Sequence, residues 1–201
     1  MNKIVLASGN AGKVRELNHL LSRFDIEIVP QTQFNIPEAV EDGLSFVENA
    51  IIKARHAAKL IGLPAIADDS GIEVDALNHQ PGIYSARYAG AGANDQKNNE
   101  KMLQALESVP EAQRTAHYQC VLVFMRDAND PVPVIAQGSL EGRILLAPRG
   151  TAGFGYDPLF YLAEYGCTAA EISLEQKNKI SHRARAMQSM LLQLQQAGIL
   201  K

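Results

Sequence analysis

Residues 4–29 read IVLASGNAGKVRELNHLLSRFDIEIV, and this stretch decides the fold class. Ile4 to Ser8 is a short apolar run ending in Gly9-Asn10-Ala11-Gly12, a loop by composition. The spacing of Val14, Leu17, Leu20 and Leu21 predicts a helix over residues 13–24, and Ile26, Ile28 and Val29 predict a second strand. Strand, glycine-rich turn, helix and strand together open an α/β fold.

Working outward, residues 31–43 read as irregular and acidic. Ser45 and Glu48 form a capping box for a helix to Ile61, which Gly62 and Pro64 end. Ala65-Ile66-Ala67 reads as a short buried strand running into Asp68-Asp69-Ser70-Gly71, and Ile72 to Leu77 alternates as a half-buried strand would. A loop over 78–93 carries Pro81-Gly82 and Tyr84 to Tyr88, after which Asn94 or Asp95 caps a helix to Leu106. Residues 115–126 and 132–137 pair as a hairpin. A glycine-rich loop over 150–158 precedes a helical stretch from Ser173 to Gln196, with a break expected near Ile180. There is no internal repeat or interdomain linker.

The chain has 201 residues, 46% hydrophobic and 20% charged, enough for one compact domain or two lobes sharing a core, and not a disordered composition. A net charge of -3 lacks the basic footprint of a general nucleic-acid binder. Cys120 and Cys167 lie far apart, so neither a disulfide framework nor a cysteine-rich zinc site is expected, and a reducing cytoplasm is the default. No apolar run approaches the ~20 residues that span a bilayer, and the start is too short for a signal peptide. The expectation is a soluble, cytoplasmic protein without a membrane partner.

Five constellations could carry chemistry. Ser8, Gly9, Asn10, Ala11, Gly12 and Lys13 lie between strand and helix, where backbone N–H groups and a lysine favour an anion; the alternative is a tight turn with a capping residue. The spacing is not that of a P-loop. Asp68 and Asp69 carry a repulsion and desolvation cost that a hard divalent cation would relieve, with the acidic loop of Glu38 and Glu41 as a further ligand source; otherwise the pair caps a turn. Asn49, Lys53 and His56 share one helix face, which is either solvated or turned toward the acidic pair. Gly153-Phe154-Gly155-Tyr156-Asp157-Pro158 offers close backbone approach and a stacking ring, or is an aromatic-anchored turn. Lys177, Ser181, His182 and Arg183 suit phosphates or a base-edge carbonyl, or form a solvated helix end. Together the five describe a nucleoside triphosphate site.

At these residues the sequence resembles the inosine triphosphate pyrophosphatase family, its bacterial members in particular. The matching pieces are Ser8-Gly9-Asn10-x-x-Lys13, Ala67-Asp68-Asp69-Ser70-Gly71, Pro81-Gly82-x-Tyr84-Ser85-Ala86-Arg87, Gly153 to Pro158, and Lys177 with Ser181-His182-Arg183, in family order along nearly the whole chain. The resemblance implies an α/β fold: an elongated mixed β-sheet flanked by helices, forming two lobes around a central cleft as one catalytic domain over residues 1–201, usually in a homodimer. It implies magnesium-dependent hydrolysis of non-standard purine nucleoside triphosphates (dITP, ITP, XTP and dXTP) to the monophosphate and pyrophosphate, which cleanses the nucleotide pool of deaminated purines. It maps the catalytic acid onto Asp69 and substrate contacts onto Ser8 to Lys13, Ser70, Phe154, Gly155, Tyr156, Asp157, Lys177, His182 and Arg183. Metal ligation is expected at Asp69, with Glu41 and Asp68 as further assignments.

The chemistry expected of such a site is an electrostatic clamp from Mg2+, Lys13 and Lys53, with Asp69 orienting or deprotonating a water for in-line attack at the α-phosphorus. Phe154 or Tyr156 would stack on the purine, and Lys177, His182 or Arg183 would meet its six-position carbonyl. Rival readings are a less selective nucleotide pyrophosphatase and a nucleotide sensor without turnover.

Overall fold

A computed structural model describes residues 3–21 and 26–200. Strand β1 (Lys3–Ala7) turns at residues 8–10 into helix α1 (Ala11–Leu21), and β2 (Glu27–Pro30) lies parallel to β1 with Val5 opposite Val29. The helix begins two residues before the predicted start because Asn10 caps it; residues 22–24 of the expected helix lie outside the described residues. After a 3-10 turn over Gln31–Phe34 comes α2 (Phe46–Ile61). Its capping box forms nearly as read: Ser45 Oγ accepts from Glu48 N, and Glu48 Oε2 accepts from Ser45 Oγ and Leu44 N.

The next element departs from expectation. β3 (Ala65–Val74) runs unbroken through Asp68-Asp69-Ser70-Gly71, where two separate strands were predicted, with a turn between them as one of two readings of the acid pair. It is hydrogen-bonded between β1 and β5, and this tertiary constraint overrides local turn composition. The chain continues with β4 (Gln80–Pro81), α3 (Asp95–Ala105), β5 (Thr115–Met125) and β6 (Val134–Ile144). β6 extends well past the predicted 137. Gly138 and Gly142 hide its pattern because each allows a close approach: a Cβ at Gly138 would lie 2.3 Å from the His182 carbonyl, and one at Gly142 would lie 2.6 Å from the Phe160 ring. The short β7 (Phe160–Leu162) and β8 (Cys167–Thr168) were not predicted. The closing helical stretch breaks at Ser181 into α4 (Leu174–Ile180) and α5 (His182–Gln196).

Hydrogen-bonded neighbours run β2-β1-β3-β5-β6-β7-β8, with β4 on β3. Pairing is parallel at β1/β2 and β1/β3 and antiparallel at β3/β4, β6/β7 and β7/β8, a mixed open sheet. The chain divides into two compact units, one of Met1–Asp69, Cys120–Gly138 and His182–Lys201, the other of Ser70–Gln119 and Ser139–Ser181.

In the first unit, strand alternation feeds two cores. Ile4, Leu6, Ile66, Cys120, Leu122 and Phe124 pack with α1 and α5, while Val5, Ala7, Ala65, Ala67, Val121, Val123 and Met125 pack with α2. The alanines of α2 (Ala50, Ala54, Ala57, Ala58) let that helix sit close to the strands. The second unit has one core, in which Ile72, Val74, Tyr118, Ile144, Tyr156 and Phe160 meet Met102 of α3. Among the described residues no helix is long and apolar enough to cross a membrane.

Candidate active site

The alternation that builds the first unit's two cores also separates its acid pair. Asp68 follows the parity of Ile66 and meets α1 and α5; Asp69 follows Ala67 and meets α2. Neighbouring carboxylates on opposite strand faces escape most of the mutual repulsion that the sequence suggests.

Asp68 is 1% exposed, so its charge needs partners. Oδ1 accepts from Lys13 Nζ at 2.7 Å, and Oδ2 accepts from Arg183 Nε at 2.7 Å and from the Cys120 thiol at 3.4 Å. Arg183, itself 1% exposed, donates through Nη1 to Glu16 Oε2 on α1. Burial alone would push the Asp68 carboxyl up, but Arg183 and Lys13 outweigh it and hold the group well below the usual carboxylate range. Burial and the adjacent Asp68 charge push the Cys120 thiol well up, which leaves it a hydrogen-bond donor rather than a nucleophile.

Asp69 is placed differently. Oδ1 accepts from Lys53 Nζ at 2.6 Å, while Oδ2 is buried with no hydrogen-bond partner. Burial raises its carboxyl above the ordinary value, against the pull of Lys53. The Lys53 ammonium also donates to the Asp68 carbonyl at 2.9 Å and to Glu41 Oε2 at 3.4 Å. Burial works against that charge, but Asp69, Glu41 and Asp68 raise its pKa overall.

The seam on α2 is not a solvated face. Asn49 Oδ1 accepts from Gly43 N at 2.9 Å, Lys53 takes Glu41, and His56 Nε2 lies 2.8 Å from the Pro37 carbonyl, so each side chain fastens one point of the acidic loop. In the glycine turn, Asn10 Oδ1 accepts from Gly12 N and Lys13 N, and Ser8 Oγ accepts from Asn10 N. The capping reading is therefore realised, with Gly9, Asn10 and Ala11 exposed at the start of α1.

In the second unit the aromatic loop is built around Asp157, which is 2% exposed. Its Oδ2 accepts from Phe154 N at 3.0 Å and Lys177 Nζ at 2.5 Å, and its Oδ1 accepts from Tyr118 OH at 3.2 Å. Lys177 Nζ stands 4.9 Å from the Phe154 ring centroid. The Tyr156 hydroxyl donates to the Ser85 carbonyl, which ties the loop to the Tyr84-Ser85-Ala86-Arg87 motif. Ser70, half-buried, follows Asp69 along β3.

The structure thus brings Lys13, Lys53, Glu41, Asp68, Asp69 and Arg183 together in the first unit, and Phe154, Asp157 and Lys177 together in the second. His182 is buried at the first position of α5. Sequence reading missed Glu16 and Tyr118. Glu16 had a readable signal: it lies four residues from both Gly12 and Leu20, on the buried face of α1. No cluster of three or more His, Cys, Asp or Glu side chains suited to a metal occurs among the described residues. Magnesium does not need one, since it takes one or two carboxylates, waters and substrate phosphates. The partnerless buried Oδ2 of Asp69, with Glu41 on the same ammonium, fits that requirement. Asp68 does not, because both its oxygens hold cations.

Residues 4–193 match the Ham1 family. The chain is 62% identical to a dITP/XTP pyrophosphatase of Thioalkalivibrio sulfidiphilus, over 96% of this chain and 98% of that one. It is 58% identical to a dITP/XTP pyrophosphatase of Shigella flexneri, over 95% and 97%. Among solved structures, a HAM1 protein from Coxiella burnetii superposes with a TM-score of 0.89 at 49% identity, covering 98% of this chain and all of that one. The Staphylococcus aureus Ham1 protein gives 0.84 at 39% identity, with 98% of this chain and all of that one covered.

Proposed function

This chain belongs to the Ham1 family and is a nucleoside triphosphate pyrophosphohydrolase; on that premise we propose that it hydrolyses dITP, ITP, XTP and dXTP, with magnesium, to the nucleoside monophosphate and pyrophosphate. The observation that carries this reading is the asymmetry of the acid pair: Asp68 is saturated by cations, while Asp69 keeps a buried, partnerless oxygen.

Asp69, through Oδ2, and Glu41 would hold the magnesium ion, which when bound supplies charge neutralisation at the phosphates. Lys13 and Lys53, each fixed at its ammonium by a carboxylate, stabilise the charge that develops on the phosphate oxygens. The exposed turn over residues 9–11 at the start of α1 receives phosphate oxygens on backbone N–H groups. Asp69 orients the attacking water and accepts its proton as the water adds to the α-phosphorus and pyrophosphate leaves. Asp68 and Arg183 position Lys13 rather than touch the metal or the base. Phe154 stacks on the purine, and Lys177 and His182 supply donors that suit a six-position carbonyl and leave adenine's amino group unmatched. Cytoplasmic removal of deaminated purine nucleotides by a homodimer completes the proposal, the dimer being checked by light scattering.

The test is incubation of the purified protein with ITP and magnesium, followed by 31P NMR. IMP and pyrophosphate, formed far faster than the corresponding products of ATP or GTP, are expected. IDP and orthophosphate would overturn the assigned point of attack, and binding without turnover would favour a sensor.

A further inference from the structure

The loop that carries Phe154 is gripped by α3 at one residue. Gly155, in the left-handed region at φ +63°, has both its backbone polar groups taken by α3: its N–H donates to Asp95 Oδ2 at 2.7 Å, and its carbonyl accepts from Asn99 Nδ2 at 2.9 Å. Asp95 and Asn99 are four residues apart, so they share one face of α3 and close on Gly155 as a two-point clasp. The N–H bond is charge-assisted and therefore the stronger kind. Glycine is the residue freest to rotate, and here it is the hinge between Phe154 and Tyr156. Asp157 fixes Phe154 from inside the loop through the Phe154 N–H. On the other side of Phe154 its own carbonyl accepts from the Asp157 N–H at 3.3 Å, and the clasp on Gly155 adds two bonds at the next residue.

We infer that Asp95 and Asn99 are specificity-positioning residues, which set the angle of the Phe154 ring and thereby the discrimination between purine bases. This rests on the proposed stacking of Phe154 on the base. Neither residue belongs to the motifs on which the family resemblance rests, and neither touches the acid pair's ammonium groups. Their loss acts on how firmly the base is held and leaves the phosphate chemistry in place.

The test measures kcat and KM for ITP and ATP on the wild type, Asp95→Ala, Asp95→Asn, Asn99→Ala and Asn99→Asp, each with its thermal midpoint. Asn at 95 keeps an acceptor for the Gly155 N–H without the charge; Asp at 99 keeps the shape but sets a carboxylate against the Gly155 carbonyl. Expected is a rise of about five- to tenfold in KM for ITP in Asp95→Ala, Asn99→Ala and Asn99→Asp, with a matching fall in the preference for ITP over ATP. kcat stays within about twofold, and Asp95→Asn stays near wild type. The chain has no tryptophan, so Phe154→Trp in each background gives a single reporter whose anisotropy falls when the clasp is lost. Unchanged preference in folded Asp95→Ala and Asn99→Asp would overturn the inference, as would Asp95→Asn behaving like Asp95→Ala, which would mean that helix-end charge and not the clasp matters. A wild type without preference for ITP would overturn the underlying reading itself, and is visible before any variant is compared.

Discussion

The two units each bury a carboxylate under cations, and they use it differently. In the second unit Asp157 is saturated: a backbone N–H, a tyrosine hydroxyl and a lysine fill its oxygens, and its task is to shape a loop. In the first unit Asp68 is saturated in the same way by Lys13 and Arg183, but the residue beside it is not. Asp69 shares one oxygen with Lys53 and leaves the other buried without a partner. A buried polar atom without a partner is costly, and it persists where a ligand completes it. Among the described residues Asp69 is the acid with a buried oxygen left without a partner, and the proposed function places the chemistry there and leaves the saturated Asp68 and Asp157 as scaffold.

The harshest trial of that distinction is Asp69→Asn. It keeps the shape and removes the proton acceptor, so kcat for ITP should fall about a thousandfold with nucleotide binding, read by calorimetry, preserved. Full turnover would break the comparison. Asp68→Asn should act on stability instead. Removing one charge from the buried Glu16–Arg183–Asp68 chain should lower the unfolding free energy by about 3 kcal/mol in urea titration. A variant as stable as wild type would show that the chain is not needed as scaffold.

The acid pair also titrates in opposite directions. Asp68 is depressed, so its contribution to stability is fully present above about pH 4 and is lost only as pH falls through its lower folded value. Asp69 is raised, so its carboxylate form is lost first as pH falls. The acid limb of kcat/KM should therefore lie at higher pH than the acid limb of unfolding followed by circular dichroism. Coincident limbs would contradict the division of roles. The smallest expected effect is that of Tyr118→Phe, which removes one of three bonds to Asp157 and should cost about 1 kcal/mol with selectivity little changed, since Lys177 and Phe154 N still hold the carboxylate.

What the sequence disclosed follows the range of the interaction. The Ser45–Glu48 box, the Gly62 cap and the break at Ser181 are local and could be read directly. Asp68 and Asp69 were found as residues, with a cation-binding pair and a turn cap both left open, and the continuous strand through them was not foreseen because it is imposed by neighbours far along the chain. The unforeseen strand also hid the point that matters: it sends adjacent carboxylates to opposite faces, one to α1 and α5 and one to α2. Arg183 was legible as a donor but not as a buried one, since its partners Glu16 and Asp68 lie 167 and 115 residues away. Strands of two or three residues such as β7 and β8 are too short to show alternation at all.

The role proposed for Asp69 is to direct water to the α-phosphorus. ITP turned over in 18O-labelled water, with products resolved by mass spectrometry, tests it most directly. The label is expected in IMP and not in pyrophosphate; label in pyrophosphate or orthophosphate would contradict attack at the α-phosphorus.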